Sequence, residues 1–406
     1  MAFDIQQIRN DFPILKQQVY NRDLVYLDNG ATTQKPLVVI NTQDELQKQL
    51  NSSIHRGVHY LSEQMTDRYE TAREKVRKFI NAPSAREVIF TSGATGSINA
   101  VAFAFGEKYV HRGDEVLITE MEHHSNIVPW QMLCDRKGAL LKVVPFKDDG
   151  ELAMEAFDSM ITDKTRIVAV THASNSLGTI NPVKEVIRLA HAREIPVLVD
   201  GAQMVQHGRV DVQELDCDFY VFSSHKIFGP TGSGVLFGKE KWLEAIPPYQ
   251  GGGDMVDQVT FQQTTYGELP FKFEAGTTNY IGAIGLGAAL DYLAHLEMEQ
   301  IVSYEKELAD YALQQLKNIE GLRLYGNAEK RISVFSFLLE GIHPYDAGMI
   351  LDKLGIAVRT GNHCTQPVMD HYGISGTIRA SLVFYNTKEE VDHLVEGIRR
   401  TQQMLL

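Results

Sequence analysis

Short apolar runs alternate with amphipathic stretches through the middle of the chain. Residues 87–90, 115–119, 141–144, 166–171, 196–199, 217–222 and 234–237 read as strands. Residues 97–105 and 183–193 carry the spacing of helices. Strands separated by helix-length patterns predict βαβ units and a mostly parallel sheet of the α/β class. The last third reads differently. Two helices are expected at 286–299 and 301–316, and an alternating strand at 332–338. A helix at 347–354 leads to a strand at 356–359, followed by a strand at 377–384 and an amphipathic helix at 388–405. This is an α+β pattern. It divides the chain into a large domain, 21–294, and a smaller α+β domain built from 1–20 and 295–406. An N-terminal helix at 5–11 is expected to pack with the smaller part.

At 406 residues there is room for roughly two to three domains. With 44% hydrophobic and 22% charged residues, a mainly disordered chain is excluded. Lys plus Arg number 39 and Asp plus Glu 52, a net charge of −13 that argues against a nucleic-acid partner. Three cysteines, with no C-x-x-C pair, support neither a disulfide framework nor a structural zinc site. The start, Met-Ala-Phe-Asp-Ile-Gln-Gln, has no signal-peptide pattern, and the apolar stretch 281–290 is half of the ~20 residues a membrane span needs. A reducing, cytoplasmic setting without a membrane partner is therefore expected. The run Gly251-Gly252-Gly253 reads as a tight or mobile loop.

Parallel sheets bind ligands beyond the carboxyl ends of their strands. Five predicted strand ends are followed by polar, ionisable or glycine-rich residues: Thr91–Gly96, Glu120–Asn126, His172–Asn175, Asp200–Gln203 and Ser223–Lys226. The turn Gly93-Ala94-Thr95-Gly96 opens a helix. It is either a phosphate cradle or a plain strand-to-helix turn. It is neither a Walker loop nor G-x-G-x-x-G.

Lys226 is the sharpest single residue. It is either a surface lysine or an amine able to form a Schiff base, with Ser223, Ser224 and His225 suited to a phosphate. Asp200 either caps the next helix or pairs with a cofactor's pyridine nitrogen. Such an acid and lysine on neighbouring strand ends are what pyridoxal phosphate needs. His123 is either a hydrogen-bonded structural histidine or an imidazole stacked on a flat ring. His55 and His59 have a metal-pair spacing but no third ligand, so no metal site is expected.

Cys364 sits among polar residues and glycine in Arg359-Thr360-Gly361-Asn362-His363-Cys364-Thr365, where Arg359 and His363 would favour a thiolate. Cys134 and Cys217 occupy apolar positions and read as structural. Arg379 interrupts an apolar strand, as either an ion-paired residue or a bidentate carboxylate receptor.

Together these residues form a pattern. The chain resembles the pyridoxal 5'-phosphate-dependent cysteine desulfurases of fold type I, the aspartate-aminotransferase-like fold. It is most similar to the SufS type, the group that also holds selenocysteine lyases. The resemblance runs from Leu27-Asp28-Asn29-Gly30-Ala31 to Tyr385-Asn386-Thr387. It includes His55-Arg56-Gly57, Met121–Asn126, Pro129-Trp130, Asp200–Gln203, Ser223–Lys226, Phe273–Thr277 and Arg359–Cys364.

The resemblance implies roles. Lys226 would carry the cofactor and move the substrate proton. Asp200 would pair with the ring nitrogen, Gln203 would bond the ring oxygen, and His123 would stack on the ring. Thr95, Ser223 and His225 would hold the phosphate, with Thr277 reaching it from the second subunit of a homodimer. Asn175, Arg359 and Arg379 would bind substrate, with Arg379 on its carboxylate. Cys364 would accept sulfur as a persulfide. The substrate would be L-cysteine or L-selenocysteine, and the sulfur would pass to a small acceptor of SufE or SufU type for iron–sulfur assembly. Another fold-type I lyase or aminotransferase is the alternative reading, and a non-catalytic sulfur-carrier scaffold is the reading from a different class.

The chain departs from the family's usual Arg-x-Gly-His-His-Cys-Ala at Asn362 and Thr365. It also has Gly96 where a Glu often follows the turn's Thr.

Overall fold

The computed structural model describes residues 3–406. Its centre is a seven-stranded sheet. The strands are β1 (Val88–Thr91), β2 (Glu115–Thr119), β3 (Leu140–Val144), β4 (Thr165–Thr171), β5 (Val197–Asp200), β6 (Phe219–Ser223) and β7 (Gly234–Gly238). Their spatial order is β1-β7-β6-β5-β4-β2-β3. β7 runs antiparallel to β1 and β6, and the remaining pairings are parallel.

Adjacent residues of these strands enter opposite cores, as the two-residue period of a strand requires. Leu117 and Phe222 face one cluster with Tyr69, Val76 and Leu286. Their neighbours Ile118 and Val221 face another with Ile98 and Phe105. Burial on both faces is why the strands read as continuous apolar runs. The covering helices include α1 (Tyr60–Phe79), α2 (Ala94–Tyr109), α3 (Val183–His191) and α4 (Tyr280–Leu296).

A second sheet is antiparallel: β8 (Leu322–Tyr325), β9 (Val334–Leu339), β10 (Arg359–Gly361) and β11 (Thr377–Ser381), in the order β8-β9-β11-β10. Helices α5 (Met298–Lys317) and α6 (Lys388–Leu405) supply Leu308 and Leu394 to its core, beside Phe335 and Ile378. Thr387 and Glu390 form a reciprocal cap at the start of α6. Val25 and Leu27 enter this core as well, because Val25–Tyr26 pairs parallel with Ile356–Ala357.

The N-terminal helix Ile5–Asn10 touches both parts rather than one. Ile8 and Phe12 pack in the main core, with Phe12 against Phe228 and Phe384, while Arg9 pairs with Glu390 of α6 at 2.9 Å.

Two boundaries differ from the sequence expectation. The strand expected over 377–384 stops at Ser381, because Asn386 turns the chain by accepting from Val383 N at 2.9 Å. The helix expected from 97 begins at Ala94, directly after Gly93 at φ +142°. β7 crowds this turn: a Cβ on Gly234 would lie 2.4 Å from Gly93 Cα. The turn and the start of β7 are therefore in direct contact.

α1 is tied to β1 by a buried ion pair. Arg73, 1% exposed, donates to Glu274 at 2.6 and 2.9 Å, and Glu274 also accepts from Phe90 N and Tyr69 Oη. Removing one partner strands a charge in the core. Arg73→Met is expected to lower stability by about 3–5 kcal/mol, with much of that recovered in the Arg73→Met/Glu274→Leu double variant. Urea-unfolding midpoints check this, and a near-neutral single variant would contradict it.

Candidate active site

The carboxyl ends of β1, β2, β4, β5 and β6 end on one rim, because β7 alone is reversed. They bring Thr95, His123, Asn175, Asp200, Gln203, Ser223, His225 and Lys226 to one cleft. The second sheet closes it with Arg359, Cys364 and Arg379. Thr277 is exposed and does not line the cleft of this chain.

Lys226 lies one turn past β6, in the short helix Ser224–Lys226. Burial of its surroundings lowers the amine's pKa to about 8, and the nearby Asp200 charge opposes the drop. Asp200 is buried at the end of β5. Burial pushes its carboxyl up, while the Ala202 N–H, at 3.0 Å, and Lys226 pull it down. Gln203 donates to Gly30 O at 2.7 Å. His123 is held by Ser125, whose Oγ lies 2.8 Å from Nδ1. Burial first, then Lys226, His124 and Arg379, lowers its pKa to about 3, so the ring is neutral.

At the other end, Ser223 Oγ accepts from Ala94 N at 2.8 Å, and Thr95 Oγ1 lies 2.9 Å from Ser125 Oγ. The first turn of a sixteen-residue helix thus faces the cleft beside two hydroxyls and His225. His225 is neutral too, lowered to about 4 by burial, then by Lys226 and Lys35.

Cys364 is exposed to the cleft, while Cys134 and Cys217 are buried. His363 (φ +52°) and Cys364 (φ +58°) both take the left-handed backbone, which costs about 1–3 kcal/mol each for residues with a Cβ. The rim holds them there. Asn175 donates to His363 O at 2.7 Å, and His124 N donates to Cys364 O at 2.8 Å. The departures from the family motif are absorbed locally. Asn362 Oδ1 accepts from Cys364 N at 3.1 Å, and Thr365 Oγ1 donates to Asn362 O at 2.9 Å. A Cβ at Gly96 would lie 2.5 Å from Ser92 Oγ, a contact the exposed serine relieves by turning its side chain.

Three contributors lay outside the sequence reading of roles. Ser125 links Thr95 to His123. Glu122 accepts from Thr119 Oγ1, Asn126 Nδ2 and Thr171 N, so it braces the His123 loop against β4. Burial raises its pKa to about 8. Asp28 pairs with both Arg359 and Arg379. A polar residue between strand ends was the only local sign of the first two. Asp28 stood in a motif, but its role was hidden because its partners are more than three hundred residues away.

These residues fit pyridoxal phosphate. Asp200 and Lys226 form no ion pair among the described residues, although both are shielded from bulk water. The acid is free for a protonated ring nitrogen and the amine for an aldehyde. His55 and His59 do not form a metal pair: His55 bonds Glu70 at 3.0 Å and His59 caps α1.

Comparison with known proteins agrees. Residues 25–394 match the family described as Aminotransferase class-V. A protein named cysteine desulfurase from Synechococcus elongatus is 50% identical over 402 residues, covering 99% of this chain. The chain spans 64% of that relative's length. A cysteine desulfurase from Salmonella agona is 49% identical over 406 residues, with 100% of both chains covered. The crystal structure of the cysteine desulfurase CsdA (S-sulfonic acid) from Escherichia coli has a TM-score of 0.93 at 38% identity, again over 100% of both chains. Among the described residues, no helix is long and apolar enough to cross a membrane.

The buried neutral imidazoles carry a pH cost. His172, beside Tyr220 Oη at 3.0 Å, is lowered to about 4 by burial. An unfolded histidine titrates near about 6.5, so the folded state binds fewer protons below that pH. The stability it contributes is fully present above about pH 6.5 and is lost as pH falls toward about 4. His172→Gln is expected to flatten the stability–pH profile in that window by up to about 1.4 kcal/mol per pH unit, read from urea titrations. An unchanged slope would contradict the assignment.

Proposed function

The chain belongs to the class-V aminotransferase family, among its pyridoxal-phosphate-dependent cysteine desulfurases, and from that premise we propose that it converts L-cysteine to L-alanine with the sulfur held as a persulfide on Cys364. The observation that carries this is the exposed Cys364 thiol, held on the same cleft as Lys226 and Asp200 by hydrogen bonds from the opposite rim.

When bound, the cofactor supplies an aldehyde for the substrate amine and a ring that draws electrons from Cα. Asp200 would keep the ring nitrogen protonated, and Gln203 would bond the ring oxygen. The neutral His123 would stack on the ring and pass a proton. Ser223, Thr95, His225 and the helix N-terminus would hold the phosphate, and Thr277, exposed here, would serve the phosphate of a second copy in a homodimer. Arg379 receives the substrate carboxylate, with Asn175 and Arg359 beside it.

Lys226 removes the Cα proton, which an amine with a pKa of about 8 does well near neutral pH. The Cys364 thiolate then attacks the substrate sulfur. The substrate's Cβ–Sγ bond breaks and a Sγ–Sγ bond forms on Cys364. Two protons complete alanine, and no outside oxidant is needed.

We further place the enzyme in the SufS type. It acts in the cytoplasm and delivers sulfur from L-cysteine to a small SufE- or SufU-like acceptor for iron–sulfur assembly. The exposed thiol supports that reading, because a carrier protein has to reach the persulfide. The division into 21–294 and a smaller part of 1–20 and 295–406 is part of the same proposal.

Cys364→Ser is expected to keep the yellow cofactor band and lose at least about a hundredfold in alanine release from L-cysteine with a reductant. Undiminished alanine would refute the role of Cys364. In apoenzyme, the rate of cofactor uptake should rise with pH and level off above about 8, because the free Lys226 amine is the nucleophile. A flat profile, or normal uptake in Lys226→Ala, would remove Lys226 from that role.

A further inference from the structure

The segment that carries Cys364 takes two bonds from one residue of the opposite rim. The backbone N–H of His124 donates to Cys364 O at 2.8 Å, and the ring Nε2 of His124 accepts from Gln366 N at 3.1 Å. The first is a backbone bond that any residue but proline would make. The second belongs to the side chain.

Gln366 opens the short helix Gln366–His371, whose first backbone N–H groups have no partner within the helix. Thr365, the residue before it, gives that helix no side-chain cap, because its hydroxyl donates to Asn362 O at 2.9 Å. The cap comes instead from the loop that follows β2 on the main sheet. Only a neutral imidazole with an unprotonated Nε2 accepts such a bond.

The other bonds of the segment are internal. Asn362 Oδ1 accepts from Cys364 N at 3.1 Å, Asn362 Nδ2 donates to Gln366 Oε1 at 3.0 Å, and Gln366 Nε2 donates to Asp370 Oδ1 at 2.9 Å. These fold the segment without aiming it. Among the described residues, the bonds that tie 362–366 to the main sheet's strand-end loops come from Asn175 at His363 O and from His124 at Cys364 O and Gln366 N. With His363 and Cys364 both in the left-handed region, the segment needs ties on each side of the thiol to stay in place. The ring of His124 is the tie on the far side.

We propose that the His124 side chain is a positioning residue for the sulfur-transfer step: by capping Gln366 N from across the cleft, it holds the Cys364 thiol where it meets the substrate sulfur. This rests on the reading that Cys364 receives that sulfur.

The test uses holoenzyme and two readouts. One is the rate of alanine release from saturating L-cysteine with a reductant, which needs Cys364. The other is deuterium exchange at Cα of L-alanine in heavy water, which needs Lys226 and no thiol, and which also reports any damage to the neighbouring His123. Glutamine carries its side-chain oxygen about as far from the backbone as Nε2, whereas asparagine stops short. His124→Asn should lower alanine release by about tenfold with exchange unchanged, since a reacting group displaced by ~1 Å can cost about a hundredfold. His124→Gln should restore release to within about threefold of the parent, because the acceptor is back in reach.

Equal losses in release and exchange would show a merely structural role and overturn the proposal. Unchanged release in His124→Asn, or no recovery in His124→Gln, would overturn it too. If His124→Asn does not fold, His124→Gln decides alone, and a loss of release beyond about threefold in it counts against the proposal. Cys364→Ser in the same assays separates the two levels. Release lost in Cys364→Ser but untouched in His124→Asn rejects the role of His124 alone. Release undiminished in Cys364→Ser rejects the reading of Cys364, and the proposal with it.

Discussion

A buried guanidinium stands at the seam between the two sheets. Arg379 projects from β11 of the second sheet, is 2% exposed, and reaches Asn175 O on the rim of the main sheet. Burial lowers its hold on its proton, and Asp28 opposes that drop without cancelling it. A buried cation stripped of such partners would cost several kcal/mol, so the sheets are fixed to each other by atoms that also line the cleft. Gly30 shows how close the fit is: a Cβ there would lie 3.2 Å from Arg379 Cζ.

Around that seam the site is assembled from opposing tendencies. The main sheet supplies buried groups of weakened charge: neutral His123 and His225, and an amine at Lys226 lowered to about 8. The second sheet supplies cations and an accessible thiol. The left-handed backbone at His363 and Cys364 is sustained by bonds from Asn175 and His124, both on strand-end loops of the other sheet. The thiol's position is thus set by the rim it serves.

Much of this was legible in the sequence because parallel strands place their chemistry at one end. Lys226, Asp200, His123 and Asn175 each follow an apolar run, and the reversal of a single strand leaves those ends together. α1 went unread because most of its surface is polar. Its apolar side is the narrow stripe Met65, Tyr69, Ala72 and Val76, and Arg73 is buried next to it only because Glu274 arrives from far along the chain. Asp28 was visible as part of a motif, but its meaning lies in two arginines brought near by the β11 register. Glu122 looked like a loop acid. Three donors from separate segments make it a brace instead. Propensity and period report on neighbours in sequence, and these roles depend on neighbours in space.

The central claim is that sulfur leaves L-cysteine onto one named thiol. The most direct measurement is the mass of the intact holoenzyme after brief incubation with L-cysteine and no reductant, followed by peptide mapping under non-reducing conditions. The account predicts a gain of one sulfur atom, confined to the peptide that carries Cys364, with one alanine released per sulfur bound. Alanine release with no sulfur on the protein, or sulfur on the buried Cys134 or Cys217 instead, would contradict it.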